Sequence, residues 1–544
     1  MRRILWAVLL LAGVVYFVDL GGTSIWDANE AFYVETPREM LEAHDLLNPS
    51  FNYEPRFNKP VLSYWIVAAF YKAFGVSVAV QRIPIAIGAL VLIACAYFLA
   101  RAGCGMRDAG ALWAAAGIAA NPRLVMFARR IFIDIWISAF MALTLLFFAL
   151  SERYPERRRL FLVLMYVAVG LGVLTKGPIA VALPGLVFAV YLTINGELRR
   201  VTEMMLPAGI LIVLAIVVPW YAALYQEHGW TYIASFFVGE NVGRYVSGVG
   251  FQARRGILFY VPVIFSDSFP LSLFLIPAAV LAWRGRAGWR ARDGAGRVRM
   301  LLWLWAIVIV AFFSFSHDKQ DLYIFPIVPA ISALAAIAIA RRRDIPRCVI
   351  WTTVALAIVL VLGGAGVLYL FEGAGRVYAL RGAGAVGAVA IAGGLAALVV
   401  ARRQPAAALV VAMAAVVALD WVFVLRVLPD FERYKPVPAM SDVLRTRLQP
   451  GDVVAHYDVA LPSMVYYLRR HVDVYFAPGP FVDAVLAERR MFGVLPAGDY
   501  AALQPALAGR ACVLDRRQTF DVKLKTVLAR EPLPELLLIT NDCR

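Results

Sequence analysis

Residues 348–370 read CVIWTTVALAIVLVLGGAGVLYL and contain no charged side chain. About 20 apolar residues cross the hydrocarbon core of a bilayer, so this stretch predicts a transmembrane helix. The whole chain has the same character, because 62% of its 544 residues are hydrophobic, 17% are charged and the mean hydropathy is +0.72. Soluble domains are less apolar and more highly charged, so a water-soluble enzyme and a disordered protein are both excluded.

Outward from this helix, the hydropathy pattern predicts an α-helical polytopic membrane protein with about 13 transmembrane helices. The apolar segments lie near residues 4–20, 84–100, 109–121, 132–150, 159–175, 178–195, 205–225, 264–284, 300–316, 322–340, 348–370, 380–401 and 406–427. Two are weak, because 109–121 is short and 264–284 contains Asp267 and Pro270. No signal-peptide cleavage site follows the first segment, which predicts a retained membrane anchor.

Arginine is distributed unevenly between the loops. If the N-terminus is cytoplasmic, the inside loops hold arginine clusters at 101–107, 153–159, 199–200, 284–299, 341–347 and 402–403. The short outside loops near 176, 317 and 376 carry about one cation each. This is the positive-inside pattern, and it accounts for most of the net charge of +16 without nucleic acid. An odd number of spans then predicts a C-terminal segment outside the cytoplasm.

The composition changes near residue 430. The strand-like runs are Gly451–Ala460, Val472–Ala477, Ala511–Asp515 and Leu536–Thr540. The helical stretches are Met440–Leu448, before the first run, and Leu461–Arg470, between the first two. This predicts a small α/β domain over residues 430–544, outside the cytoplasm, after a transmembrane domain over residues 1–429. Within the transmembrane domain, the long first outside loop, residues 21–83, is amphipathic and predicts helices lying in the membrane interface.

The spacing of the cysteines and histidines indicates little about disulfides or metal sites. Cys512 and Cys543 share the predicted external domain, where an oxidising compartment favours a disulfide. Two free thiols are the alternative, because the sequence gives no geometry. No spacing is typical of a metal site, so the sequence requires no cofactor. A site for a divalent metal remains an alternative, with His228 and His317 as candidate ligands.

Acidic residues directly follow the first apolar segment, at Asp27 and Glu30. Carboxylates at a membrane cavity serve as a base, a cation ligand or a stabiliser of an electron-poor sugar carbon, so both are candidate catalytic residues. The alternative is helix capping by Asp27 and ordinary exposed charge. Asp134 is a third candidate, beside Arg129 and Arg130 at the mouth of the fourth segment. A structural Arg–Asp pair is the alternative there.

The chain's lysines are absent from every predicted cytoplasmic loop. A compact ammonium group is suited to a phosphate or lipid head group, which makes the outside lysines candidate ligands for one. Lys59 precedes Pro60 at a predicted helix N-terminus, which is a favourable phosphate position. Lys176 and Lys319 lie in later outside loops. For any one of them, a solvated position without function is the alternative.

A dense polar segment, residues 317–323, joins two apolar segments and predicts the lining of a cavity. It contains His317, Lys319 and Tyr323, although Tyr323 alone is also typical of an interfacial tyrosine. The long outside loop 226–263 adds Glu240 and Arg244. The further cavity candidates of the whole chain are Arg129, Arg130, Lys176, Glu240 and His317.

Four motifs, in order, resemble one family of membrane enzymes. They are residues 29–40, NEAFYVETPREM; Phe57-x-Lys59-Pro60-x-Leu62-x-Tyr64-Trp65; Leu174-Thr175-Lys176-Gly177-Pro178; and Lys319-x-x-x-Tyr323-x-x-Pro326. In these motifs the chain is similar to the lipid-linked-sugar glycosyltransferases of the GT-C class, in the protein O-mannosyltransferase-like branch that includes the lipid A aminoarabinose transferases. That family usually has Asp-Glu-x-Arg-Tyr where this chain has residues 29–33, so its acid falls on Asn29 and its arginine on Phe32.

The resemblance implies a GT-C fold and a transferase that moves 4-amino-4-deoxy-L-arabinose from undecaprenyl phosphate to a lipid A phosphate. The reaction is expected at the periplasmic face of the bacterial inner membrane, where it gives resistance to polymyxin and other cationic peptides. Asp27, with Glu30 as second choice, then replaces the missing acid. The implied ligands of the donor lipid phosphate are Tyr33, Lys59, Arg244, Lys319 and Tyr323.

The implied partners are the undecaprenyl-phosphate-linked sugar, lipid A and membrane lipids, and a monomer is expected. One alternative keeps the fold and changes the substrates, as in a protein O-mannosyltransferase or another sugar transferase that uses polyprenyl phosphate. An alternative from another class is a lipid transporter or flippase. Transporters often have inverted repeats, and the sequence has none that is visible.

Overall fold

The computed structural model describes residues 2–27, 30–130, 132–234, 236, 255–285, 294–373, 380–520, 524–529 and 531–543. Up to residue 431 it is built almost entirely of helices. The α-helices are Arg2–Val14, Ala31–Glu42, Leu62–Phe74, Val78–Phe98, Asp108–Ala119, Pro122–Phe127, Phe132–Arg153, Arg158–Lys176, Ile179–Ile194, Leu206–His228, Trp230–Ala234, Tyr260–Asp267, Leu275–Arg284, Gly294–Ser314, Val328–Ala340, Pro346–Phe371, Arg381–Ala401, Pro405–Val422 and Leu428–Phe431. A two-stranded hairpin, Ser50–Phe51 with Glu54–Pro55, lies in the long loop of residues 21–83 that is predicted to be outside.

In the described part of the chain, nine helical runs are long and apolar enough to cross a membrane. They become ten if Ile257–Asp267 and Leu271–Arg284, which meet at a bend of 111°, count as one broken span. The bend falls where the sequence places Pro270. The other three predicted segments form helices of 13, 12 and 16 residues, shorter than a perpendicular crossing needs. The protein is therefore a multi-span membrane protein.

The short helix Asp108–Ala119 lies inside the bundle. Ten of its twelve residues are buried, and it packs against Arg2–Val14, Val78–Phe98 and Val328–Ala340. Its alanines and glycines let these helices approach closely, which is how helices associate inside a bilayer. A Cβ atom at Gly117 would lie 2.1 Å from Leu271 Cδ1, so the close approach of the turn Leu271–Phe274 to this helix favours glycine.

The terminal segment folds around a five-stranded sheet. Its strands stand in the order Asp473–Tyr475, Val453–Tyr457, Met491–Pro496, Glu535–Thr540 and Cys512–Gln518. The first three strands are parallel to one another, and Glu535–Thr540 runs antiparallel to both of its neighbours, Met491–Pro496 and Cys512–Gln518. Helix Pro436–Arg445 precedes the first strand in the chain, and the helices between the strands are Ser463–Leu468, Pro478–Leu486, Ala497–Leu507 and Leu524–Ala529. Sequence analysis predicted four of these strands and missed the central one, Met491–Pro496.

Cys512 and Cys543 form a disulfide, with their Cα atoms 5.6 Å apart. The bond ties the start of one edge strand to the residues that follow its neighbour, Glu535–Thr540. Of the two alternatives left open by the sequence, the structure has the disulfide. The other three cysteines, Cys95, Cys104 and Cys348, are free.

Candidate functional site

Two of the four motifs and the candidate acid Asp134 meet at Lys176. Its ammonium group forms an ion pair with the carboxylate of Asp134, and the two side chains are 20% and 13% exposed. The same ammonium lies 5.3 Å from the centroid of the Tyr323 ring. The Tyr323 hydroxyl donates a hydrogen bond to Asp318 Oδ2 at 3.0 Å. A carboxylate, a cation, a phenol and a second carboxylate therefore form one connected group, which we call the lysine cluster.

Local helix chemistry explains the placement of the ion pair. Lys176 is the last residue of helix Arg158–Lys176, which ends at Gly177 with φ +89° before Pro178. Asp134 lies in the first turn of the neighbouring helix Phe132–Arg153. A cation at a helix C-terminus and an anion at a helix N-terminus are both stabilised by the helix dipole. Because these two helices pack closely, their favoured charges meet.

A second group extends from the same segment. Arg123 donates from Nε to Asp267 Oδ1 at 2.9 Å and from Nη2 to Asp321 Oδ2 at 2.5 Å. Asp321 lies two residues before Tyr323, so this group adjoins the lysine cluster. Sequence analysis did not single out Arg123. Its signal was an arginine in Asn121-Pro122-Arg123, at an outside loop where the positive-inside rule predicts few cations.

Lys319 and His317 lie in the same segment but have different surroundings. Lys319 is buried and donates from Nζ to the Ser316 carbonyl at 2.6 Å, while its own carbonyl accepts a bond from Arg255 at 2.7 Å. These bonds hold the turn that presents Asp318 and Tyr323. His317 is exposed.

Glu30 forms a buried ion pair with Arg82. Arg82 donates to both carboxylate oxygens, at 2.7 and 2.9 Å, and both side chains are almost fully buried. Gln81 and the Trp26 backbone N–H also donate to this carboxylate. The remaining donors of Arg82 hold carbonyls of residues 20–24. This geometry favours a structural role for Glu30, which fixes the start of the first outside loop.

Asp27 connects that loop to the terminal domain. Its Oδ1 accepts a hydrogen bond of 2.9 Å from the backbone N–H of Ser463, the first residue of helix Ser463–Leu468. Burial raises the pKa of the Asp27 carboxyl, and the bonds from Ser463 oppose that shift. Helix N-termini favour such a carboxylate. Asp27 does not cap the helix that follows it, because Ala31–Glu42 has Glu30 at its N-cap position with no side-chain bond; it binds instead the N-terminus of a helix more than 400 residues away.

Two cations lie close to the Trp26 ring. The Arg130 guanidinium is 5.2 Å and the Lys435 ammonium 3.9 Å from its ring centroid. Burial, and next the charge of Arg123, lower the pKa of Arg130, which also interacts with Glu30 and Asp321. Arg130 thus joins the first outside loop to the second group. Arg129 instead donates to the carbonyls of Val18 and Asp19, after the first helix.

The second motif also packs near helix Arg158–Lys176. Tyr33 stacks on Tyr64 with centroids 5.9 Å apart, and Tyr64 belongs to one apolar cluster with Leu174. Lys59 is half-buried, and its carbonyl accepts a long bond from the Tyr232 hydroxyl at 3.5 Å. The motif that contains Lys59 therefore packs close to the end of the helix that carries Lys176.

Arg56 lies 3.8 Å from the centroid of the Phe32 ring. Phe32 occupies the position where the family resemblance expects an arginine. A guanidinium is therefore present beside that position although the side chain at residue 32 is apolar. Sequence analysis missed Arg56 because its partner is brought to it by the hairpin Ser50–Phe51 and Glu54–Pro55.

Two predicted residues, Glu240 and Arg244, lie outside the described residues. Over the part of the chain that is described, no three His, Cys, Asp or Glu side chains are arranged to hold a metal ion. His228 bonds through Nε2 to the amide oxygen of Asn48 at 2.7 Å.

This chain is similar in sequence and in fold to several known proteins. Residues 58–222 match the family model described as dolichyl-phosphate-mannose-protein mannosyltransferase. The fold is that of the GT-C lipid-linked-sugar glycosyltransferases: an archaeal oligosaccharyltransferase from Archaeoglobus fulgidus superposes with a TM-score of 0.52 at 15% identity, covering 93% of this chain and 71% of that one.

Within that class, the crystal structure of ArnT from Cupriavidus metallidurans bound to undecaprenyl phosphate superposes with a TM-score of 0.80 at 22% identity. The match covers 99% of this chain and 98% of that one. An undecaprenyl phosphate-alpha-4-amino-4-deoxy-L-arabinose arabinosyl transferase from Pseudomonas aeruginosa is 30% identical over 63% of this chain. The alignment spans about 60% of the length of that curated relative. The predicted helical membrane fold and the predicted resemblance are confirmed, whereas the count of about 13 transmembrane helices stays a prediction.

Proposed function

We propose that this protein is a glycosyltransferase that moves 4-amino-4-deoxy-L-arabinose from undecaprenyl phosphate to a phosphate of lipid A. The observation that carries the proposal is the lysine cluster, in which Lys176 lies between Asp134 and Tyr323. The names of the curated relatives and the fold shared with ArnT support the choice of sugar and of polyprenyl carrier. The acceptor is inferred from the resemblance of the motifs.

The chemistry requires positive charge at the leaving group. When the glycosidic bond breaks, negative charge grows on the lipid phosphate, and a preorganised ammonium stabilises it. We assign this role to Lys176, assisted by the Tyr323 hydroxyl. The donor phosphate then competes with Asp134 for the ammonium, which leaves that carboxylate available to stabilise the oxocarbenium-like sugar carbon.

The acceptor needs little help to become a nucleophile. A phosphate monoester has a second pKa near 6 and is largely ionised at neutral pH. A strong general base is therefore less necessary than for a serine or threonine acceptor. Arg123 and Arg130, on the adjoining segments, are suited to bind that anion.

We also propose the orientation expected from the arginine distribution, with the N-terminus in the cytoplasm and the terminal domain in the periplasm of a bacterial inner membrane. The disulfide between Cys512 and Cys543 supports this side, because such bonds persist in oxidising compartments.

A second candidate keeps the fold and replaces the sugar and the acceptor. The family model is described as a protein mannosyltransferase, which favours a hydroxyl acceptor on a protein. Purified protein would be incubated with the aminoarabinose donor and either lipid A or a Ser/Thr peptide, and the products weighed by mass spectrometry. We expect a pentosamine adduct on lipid A alone. Transfer of mannose to the peptide from a polyprenyl phosphate mannose donor, tested in parallel, would support the second candidate, and no transfer from the aminoarabinose donor to either acceptor would overturn the first.

A further inference from the structure

A cavity of about 240 Å³ lies at the arginine-rich end of the bundle, on the opposite side from the lysine cluster in the proposed orientation. Its lining comes from helices Asp108–Ala119, Val328–Ala340, Pro346–Phe371 and Pro405–Val422. The walls are apolar, with Trp113, Ile339, Val349 and Leu409 among them. Small-molecule sites are usually ~300–1,000 Å³, so this cavity takes one narrow apolar group, such as part of an acyl chain.

Two arginines stand at this cavity. Arg342 and Arg343, in the turn between two of the lining helices, are half-buried and exposed respectively. Neither forms an ion pair with a described residue, whereas the neighbouring Arg341 pairs with Asp344 at 2.8 Å. The rim therefore carries two cations that no acid of the described chain neutralises. A positive rim above apolar walls is complementary to an anionic amphiphile.

The backbone adds to this complementarity. Pro346 and Pro405, which both line the cavity, are the first residues of two long helices. Neither helix has a side-chain cap at its N-terminus. Their dipoles place partial positive charge on the same side as the arginines, where an anion is favoured.

We propose that this cavity binds an anionic glycerophospholipid from the leaflet on the arginine-rich side. An acyl chain would lie along the walls formed by Val349 and Leu409, and the phosphate would contact Arg342 and Arg343. A juxtamembrane arginine attracts anionic lipid, so the head group supplies selectivity. The site is distinct from the donor and acceptor positions proposed above and does not depend on the reaction.

Lipid binding to delipidated protein in detergent would be measured by native mass spectrometry, with phosphatidylglycerol and phosphatidylcholine of equal chain length. We expect the wild type to prefer phosphatidylglycerol and the Arg342→Ala/Arg343→Ala variant to bind it roughly tenfold more weakly. The matched control is Arg157→Ala/Arg159→Ala, which removes two exposed arginines from another arginine-rich loop. Thermal unfolding without added lipid checks that each variant is folded.

A second variant tests the apolar walls without changing charge. Ala406→Phe fills the cavity and should weaken binding of both lipids. Glycerol phosphate, which has the head-group chemistry without chains, should not displace phosphatidylglycerol. Equal binding of the two lipids by the wild type, equal losses in the arginine variant and its control, unchanged binding in Ala406→Phe, or displacement by glycerol phosphate would each overturn the proposal.

Discussion

The ammonium of Lys176 lies 5.3 Å from the centroid of the Tyr323 ring while it pairs with the carboxylate of Asp134. The three residues come from separate parts of the sequence, and the chain between them crosses the bundle several times. Such a contact costs ordering entropy, and it places a partly exposed cation between a carboxylate and the ring of a tyrosine whose hydroxyl bonds to Asp318.

Replacing Lys176 by alanine should therefore reduce turnover. Removing one preorganised donor to a developing oxyanion costs about 10²–10³ in rate, and we expect a loss of that order for Lys176→Ala. The measurement is initial rate with saturating donor, after thermal unfolding has confirmed the fold. Lys72→Ala, which removes an exposed lysine from the first outside loop, is the control and should retain the wild-type rate. Equal rates in the two variants would remove Lys176 from the chemistry.

Arg56 should contribute to donor binding through its position over Phe32. Arg56→Ala is expected to raise the KM for the polyprenyl phosphate donor by roughly tenfold, a typical loss for a charge-assisted contact. Arg56→Lys keeps the charge but not the planar group that stacks on the ring, so it should restore binding in part. Arg447→Ala, an exposed arginine of the terminal domain, serves as control. A donor KM that stays at the wild-type value in Arg56→Ala contradicts this assignment.

Asp27 should anchor the terminal domain. Loss of an N-terminal helix cap costs about 1 kcal/mol, so Asp27→Ala should speed proteolysis near residues 432–436, which precede the α/β fold. Asp27→Asn keeps an acceptor oxygen for the Ser463 N–H and should resist the protease nearly as well as the wild type. Asp442→Ala, at an exposed acid of the same domain, is the control.

The Asp27→Asn variant also separates anchoring from catalysis. If the Asp27 carboxylate only anchors the terminal domain, the turnover rate of this variant should be within a few-fold of the wild-type rate. A large loss of turnover with an intact, protease-resistant domain would instead return Asp27 to the reaction.

Glu39 should make stability depend on pH. Burial raises the pKa of this carboxyl to about 7 from an ordinary value of 4.5. The folded protein then holds a proton that the unfolded chain releases, so this group's contribution to stability falls as the pH rises from about 4.5 to 7. Glu39→Gln should remove that slope and raise the stability at pH 8 by about 1–3 kcal/mol relative to wild type. Thermal unfolding at about pH 5 and pH 8 measures it.

The control for this experiment is Glu54→Gln, at an exposed glutamate of the same loop. It should unfold with the pH dependence of the wild type. The same slope in Glu39→Gln as in wild type would show that another group titrates.

The disulfide should be present in protein isolated from cells. Alkylation of the unfolded, unreduced chain should modify three of its five cysteines, and reduction should expose Cys512 and Cys543. A bond that closes a loop of 31 residues stabilises a fold by about 3–4 kcal/mol, so Cys512→Ser/Cys543→Ser should lower the unfolding temperature of the terminal domain. Five reactive thiols without reductant would argue against an oxidising compartment for this domain.

The sequence predicts most of this fold because a helix that crosses a bilayer must be both long and apolar. Apolar runs and arginine loops located all the long helices, and the helix-end residues Lys176 and Asp134 were recognised as candidates. The strand Met491–Pro496 was missed, since a short apolar run with glycine at its centre resembles a loop. Residue 493 is a glycine because the Phe481 ring packs against its backbone. A Cβ atom there would lie only 3.1 Å from Phe481 Cζ.

Contacts between residues that are far apart in the chain could not be predicted from the sequence. Nothing near Asp27 indicates that its hydrogen-bond donor is Ser463, and nothing near Glu30 indicates Arg82. Arg123 and Arg56 were missed for the same reason, because a cation in a loop is ordinary until its carboxylate or ring is known. Such contacts depend on the packing of whole helices, which local periodicity does not encode.

The buried pair of Glu30 and Arg82 has an evolutionary consequence. Removing one partner leaves an uncompensated charge in a dry interior, at a cost of about 3–5 kcal/mol, whereas replacing both with apolar groups is often neutral. Single substitutions at either position should be purged by selection. Among orthologues, positions 30 and 82 are therefore expected to covary, and a lineage that loses the acid should have lost the guanidinium with it.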